Sequence, residues 1–241
     1  MILKKYENLP ENMKNEKVKE YYNILSHKKI SLIVKRLFDI IASLILLIIL
    51  SPIMLILAIA IKIDSKGSVF YRQERITKYG KKFRIFKFRT MVQDADKKGA
   101  LVTIGEDPRI TRVGSKIRKC RLDEFPQLIN VLKGEMSFVG TRPEVEKYVN
   151  KYTDEMKATL LMPAGISSRA SIEYKDEDEM ISKYLNKGEK VDDIYVQRIL
   201  PEKMKWNLEY IKKFNIIEDI IYCIENGHYV VVYLDESLIP G

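Results

Sequence analysis

The chain has 241 residues, enough for one domain of ordinary size with a membrane attachment. Lys and Arg total 42 against 33 Asp and Glu, a formal charge of +9, and residues 62–90 alone carry ten cations and two anions. Two cysteines without metal spacing and two histidines, His27 and His228, exclude a disulfide framework and argue against a zinc site or a histidine-based triad.

Residues 1–30 are a polar leader rich in Lys, Glu and Asn, read as a tail or short surface helix outside the core. The run Ile40 to Ile61 then has 22 residues and no charge. As a straight helix it would measure about 33 Å, just enough for a bilayer core of about 30 Å. It lies too far from the N-terminus for an ordinary cleaved signal peptide. Ser51-Pro52 interrupts it: Pro52 removes a backbone hydrogen bond and clashes with the preceding turn, and Ser51 can bond back to a carbonyl. Both flanks are basic, with Lys28, Lys29, Lys35 and Arg36 before and Lys62 and Lys66 after. The positive-inside rule expects one cationic flank. Two fit a helix-break-helix over 31–63 that enters and leaves by the same face; a Pro-kinked single span is the alternative. Arg36 and Asp39, three apart, are neighbours on one helical face and are expected to pair.

Beyond the apolar run, residues 68–71 and 83–88 have strand composition around a Lys78–Lys81 turn, which predicts a hairpin with basic edges. Such a basic stretch suits lipid headgroups, nucleotide phosphates, nucleic acid, or plain solvent. From Leu122, apolar residues recur at 125, 128, 129 and 132, a helical stripe ending at Gly134. Residues 64–200 are taken as one domain and 201–241 as an interface helix with a tail. Trp206, Tyr210, Phe214, Ile217 and Ile221 recur at helical spacing there, on a membrane interface or packed on the core. The acidic run Asp176 to Glu179 reads as a solvated loop or a second cation site.

The chemistry concentrates at Asp123 and Glu124, placed at the start of the predicted 122–133 helix, where the dipole favours negative charge. Arg118, Arg121 and Arg142 flank them, which also keeps a carboxylate ionised. An ionised aspartate can attack phosphorus, a neighbouring carboxylate can hold Mg²⁺, and arginines clamp phosphate oxygens. A bare Asp-Glu pair more often only caps a helix.

The wording around the pair is more specific. The stretch Arg118-Lys-Cys-Arg-Leu-Asp-Glu-Phe-Pro-Gln-Leu-Ile-Asn-Val-Leu-Lys-Gly-Glu-Met-Ser-Phe-Val-Gly-Thr-Arg-Pro143 closely resembles the core motif of the bacterial sugar transferases, the monotopic polyprenyl-phosphate phosphoglycosyl transferases. Further matches are Lys35-Arg36-Leu-Phe-Asp39, Ser51-Pro52, Tyr71-Arg-Gln-Glu-Arg75, Phe86-Lys-Phe-Arg-Thr-Met91, Asp107-Pro-Arg-Ile-Thr-Arg-Val-Gly114 and Pro163-Ala-Gly-Ile166. The resemblance covers about residues 33 to 225. It implies an α/β, mainly α, catalytic domain on the cytoplasmic face of the bacterial inner membrane, with a re-entrant membrane helix and amphipathic interface helices. It implies transfer of a phosphosugar from a UDP-sugar to undecaprenyl phosphate, with Mg²⁺ and release of UMP. By motif position Asp123 would be the nucleophile and Glu124 a Mg²⁺ ligand. Arg118 and Arg142 would contact phosphate, Lys87 and Arg89 phosphate or uridine, and Ser51 and Pro52 would set the bend.

Two departures stand out. Thr141 precedes Arg142 where many members have proline, and Arg75-Ile-Thr77 replaces an Arg-x-Gly, so a positive-φ turn is not expected there. The chain looks like the minimal type of the family, a homodimer is compatible with a protein held in a plane, and nucleic acid is not an expected partner. The competing readings are a membrane-tethered polyanion-binding scaffold and an inverting glycosyltransferase that releases UDP.

Overall fold

A computed structural model describes residues 2–95, 107–174, 180, 181, 184 and 191–223; the acidic run at 176–179 lies outside the described residues. In chain order the elements are α1 (Glu16–Ser26), α2 (Lys29–Asp64), β1 (Phe70–Thr77), β2 (Lys81–Phe88), α3 (Arg112–Lys119) and α4 (Gln127–Lys133). Then follow β3 (Met136–Val139), α5 (Glu146–Val149), β4 (Ala164–Ser167), α6 (Arg169–Glu173), α7 (Val191–Ile194) and α8 (Leu200–Lys213). The mainly helical class expected is the one found.

The predicted hairpin forms: β1 and β2 pair antiparallel from Phe70 opposite Phe88 to Thr77 opposite Lys81. Its turn places Tyr79 and Gly80 at positive φ (60° and 70°). Thr77 is extended, with its hydroxyl donating to the Glu135 carbonyl. A second pair, β3 with β4, is parallel and was not anticipated. Gly140 and Gly165 face each other beside it: a Cβ on Gly165 would stand 2.3 Å from the Gly140 nitrogen. Only paired glycines allow that approach, which fixes Gly165 N on the Thr141 carbonyl at 2.9 Å, one residue before Arg142.

The leader is not a tail. Asn15 caps α1 by accepting from Val18 N (2.9 Å). Leu9, Met13, Val18, Tyr21 and Leu25 are buried in the largest core, with Leu161, Ile194, Ile199, Met204 and Phe214. The helix expected across Lys203 to Ile224 is divided at Phe214-Asn215. Its first part, α8, buries Leu200, Met204 and Ile211 and is a core helix. Only residues 216–223 leave Ile217 and Ile221 exposed.

The helix α2 runs through Ser51-Pro52 as one helical segment, with Pro52 inside it. Pro52 cannot supply the amide proton that the Ile48 carbonyl would receive in an unbroken ladder, and the Ser51 hydroxyl donates to that same carbonyl at 2.8 Å. The middle of α2 is apolar and bare, with Ile48 and Ile56 each 66% exposed.

Both ends of α2, by contrast, are tied to the same domain. Near the start, Lys35 donates to Asp219 (2.5 Å) and Arg36 donates to the Val131 and Leu132 carbonyls at the end of α4. Asp39 accepts from Ser137 Oγ (3.0 Å) and Phe138 N (3.2 Å). Arg36 and Asp39 therefore bond to the domain, not to each other as expected. At the far end Ile61 is buried against Phe88 and Ile117, and Asp64 accepts from Val113 N at 3.0 Å.

Candidate active site

Thr111 caps α3 by accepting from Gly114 N (3.0 Å). Gly114 lies so close to the end of β2 that a Cβ would stand 2.0 Å from the Thr90 carbonyl oxygen. After Lys119 the chain turns at Arg121, whose φ of 53° is unusual for a non-glycine residue and costs about 1–3 kcal/mol. Asp123 and Glu124 then sit in a 3₁₀ turn, Leu122–Glu124, not in the first turn of an α-helix as expected. The cause is Pro126. Without an N–H it cannot bond back to Leu122, so the α-ladder begins only at Gln127 and the preceding residues close with shorter bonds. Leu122 and Phe125 pack into the cluster of Ile61, Phe88 and Ile117, with Leu57 and Met54 of α2. The carboxylate turn is thus seated directly on the end of the exposed apolar helix.

Lys87 reaches the pair from β2. Its ammonium lies 2.7 Å from Glu124 Oε1 and 3.7 Å from Asp123 Oδ2. Arg142 Nη2 is 3.9 Å from Glu124 Oε1. Burial pushes Glu124 up, but Lys87, Arg142 and Arg121 outweigh it and hold its carboxyl at about 2. Asp123 goes the other way. Burial and the Glu124 charge raise it above an ordinary aspartate, against the pull of Lys87 and Arg118. Two neighbouring carboxylates thus have different characters: one fixed as an anion, the other held at a cost.

Asp123 lines an open cleft of about 730 Å³, in the size range of small-molecule sites. Seven arginines (72, 75, 89, 109, 118, 121, 142) and two lysines (87, 203) share the walls with only Asp94, Asp123 and Glu144 among the acids. That balance suits a polyanion with several phosphate charges. Of the residues expected from sequence, Asp123, Lys87, Arg89, Arg118 and Arg142 meet in this cleft, and Glu124 joins through Lys87. Ser51 and Pro52 lie apart in α2. Arg89 also lines the cleft, but its guanidinium donates to the Ser65 and Lys66 carbonyls (both 2.7 Å), tying β2 to the end of α2.

Two positioning groups escaped the sequence reading. Asn130, fully buried, accepts from Phe86 N (2.8 Å) and donates to the Arg84 carbonyl (3.0 Å), locking β2 and hence Lys87 to α4. An amide inside an apolar helical stripe was the available signal. The Gly140–Gly165 contact does the same for Arg142.

No group of three or more His, Cys, Asp or Glu side chains gathers among the described residues. Asp123 and Glu124 are nonetheless hard oxygen donors of the number Mg²⁺ uses when phosphates complete its shell.

Residues 30–232 match the model of a family described as bacterial sugar transferase. The chain is 36% identical over 191 residues to a UDP-N-acetylgalactosamine-undecaprenyl-phosphate N-acetylgalactosaminephosphotransferase of Aeromonas hydrophila, covering 78% of this chain and 41% of that one. It is 37% identical over 193 residues to an undecaprenyl-phosphate glucose phosphotransferase of Komagataeibacter xylinus, covering 77% and 34%. It is 38% identical over 168 residues to an undecaprenyl-phosphate galactose phosphotransferase of Salmonella typhimurium, covering 61% and 35%. The chain therefore spans well under half the length of these relatives.

Proposed function

The chain belongs to the bacterial sugar transferase family, and we propose that it moves a sugar-1-phosphate from a UDP-sugar to undecaprenyl phosphate, releasing UMP, as the first membrane step of glycan assembly. The observation that carries this reading is the Asp123–Glu124 pair, set in an arginine-walled cleft and seated on the end of an exposed apolar helix.

In the first step an Asp123 carboxylate oxygen attacks the phosphorus that bears the sugar. A bond forms between that oxygen and phosphorus, and the bond to the bridging oxygen breaks, so that UMP leaves with the electron pair. In the second step a phosphate oxygen of undecaprenyl phosphate attacks the same phosphorus and frees Asp123. Arg118, Arg142 and Lys87 neutralise charge on the phosphates, with Lys87 moving from the carboxylates onto substrate. Glu124 would hold Mg²⁺, which supplies further charge neutralisation at the phosphates. Arg89 acts from behind, holding the floor of the cleft against the end of α2.

The membrane placement follows the same reading. A helix of 36 residues would be about 54 Å long if straight, yet both its ends are bonded to one domain. That supports entry and exit on one face, with the stretch around Ile48 to Ile56 deepest, Ser51 and Pro52 at the bend, and the domain on the cytoplasmic side of the inner membrane. Cysteines introduced at Lys5 and Asp235, in a chain lacking Cys120 and Cys223, are expected to be labelled only from the cytoplasm. Labelling of either from outside would establish a crossing.

The reaction itself is tested by product release from a panel of UDP-sugars with undecaprenyl phosphate and Mg²⁺. UMP is expected with at least one donor, and a chelator should remove the activity. Release of UDP would indicate an inverting glycosyltransferase instead.

A further inference from the structure

Behind Arg142 the cleft continues into a second cluster that the phosphate chemistry does not use. Glu144, Tyr195 and Lys203 are 7%, 3% and 4% exposed, yet all three line the cleft. They form a directed chain: Lys203 Nζ donates to Tyr195 Oη (3.3 Å), and Tyr195 donates to Glu144 Oε1. Glu144 Oε2 makes no hydrogen bond among the described residues, and Arg75 Nη1 stands 4.0 Å from it. The backbone holds this carboxylate firmly, since the Glu144 carbonyl accepts from Ile76 N of β1 at 2.9 Å. Tyr195 opens a five-residue π-helical turn, Tyr195–Ile199, and its ring packs on Tyr148 with centroids 4.5 Å apart. Such turns are rare and gather at functional sites.

A buried ammonium, phenol and carboxylate are costly to keep in a core. Here one carboxylate oxygen accepts from Tyr195, and the other has the Arg75 guanidinium at 4.0 Å, on a residue that lines the cleft. Glu144 lies two positions after Arg142, about 7 Å of extended chain. We infer that this cluster is the sugar subsite, in which Glu144 Oε2 accepts from a hydroxyl or amide N–H of the donor hexose and Tyr195 and Lys203 set the direction of that carboxylate. The inference rests on the proposed transfer reaction. A carboxylate is the expected reader here, because hexoses offer hydroxyl donors. A site built to bond such a group discriminates strongly against donors that lack it or turn it away.

The test uses the full chain in lipid nanodiscs, with UDP-glucose, UDP-galactose and UDP-N-acetylgalactosamine as donors, and UDP binding measured separately. Glu144→Gln should change the ratio of kcat/KM between the best and second donors by tenfold or more, while UDP affinity stays within about twofold. Tyr195→Phe, which keeps the ring on Tyr148 and removes only the hydroxyl, should move the ratio in the same direction, with unfolding temperatures verifying that both variants are folded. An equal loss on all donors, or a parallel loss of UDP affinity, would overturn the sugar assignment while leaving the transfer reaction in place. Failure of the unaltered protein to use any donor would overturn the transfer reading itself.

Discussion

Asp123→Asn is expected to lower UMP release by about 10⁴-fold or more while leaving the fold at least as stable as before. The two effects come from one cause. Burial raises the Asp123 carboxyl, and the Glu124 charge beside it adds to the rise. A carboxylate whose folded-state pKa lies above its unfolded value opposes folding while ionised, and the opposition fades as pH falls below the folded value. Asparagine removes that charge and keeps the shape. Turnover should accordingly fall on the acid side at a pH above that of an ordinary aspartate, since only the ionised form attacks phosphorus. Glu124 contributes with the opposite sign. Held at about 2, it supports the fold above its ordinary range near 4.5 and loses that support only as pH drops toward 2. Thermal unfolding of both proteins across pH, beside initial rates, separates the two groups. A destabilised Asp123→Asn protein would show that Asp123 serves the fold instead of the chemistry.

Lys35→Ala is expected to cost about 3–5 kcal/mol, the usual penalty for stranding one member of a buried ion pair. Lys35 and Asp219 keep 2% and 4% of their side-chain surface exposed, and Tyr210 also donates to Asp219 at 3.0 Å. The pair joins the start of α2 to residues 216–223, far apart in the chain. Its loss should release the N-terminal end of the helix from the domain and lower the unfolding midpoint in detergent. Replacing both partners together, Lys35→Met with Asp219→Leu, should recover most of the loss. If Lys35→Ala alone leaves the midpoint unchanged, the docking of α2 does not depend on this pair.

Much of the site was legible because its residues are close in sequence. The segment from Arg118 to Arg142 carries the carboxylates and three of their cations, Arg118, Arg121 and Arg142, and the structure brings in Lys87 from β2 across the fold. What sequence periodicity missed was local. It extended the Leu122 helix back over Asp123, whereas Pro126 withholds the bond to Leu122 and converts that start into a tighter turn. The leader misled through composition. Its polar residues outnumber Val18, Tyr21 and Leu25, yet those three share a helical face and are buried. Arg36 and Asp39 sit at pairing distance along a helix, but the domain offered each a better partner in the α4 carbonyls and Ser137. Those partners lie about a hundred residues away, where spacing along the chain carries no information.

The covalent step is the centre of the account, and intact-protein mass spectrometry after mixing with a UDP-sugar and Mg²⁺, with acceptor withheld, tests it most directly. One sugar-phosphate should be added to the chain, map to the peptide containing Asp123, vanish on addition of undecaprenyl phosphate, and fail to form in Asp123→Asn. Full turnover to UMP and lipid-linked sugar with no such adduct, under quench conditions that preserve acyl phosphates, would contradict it.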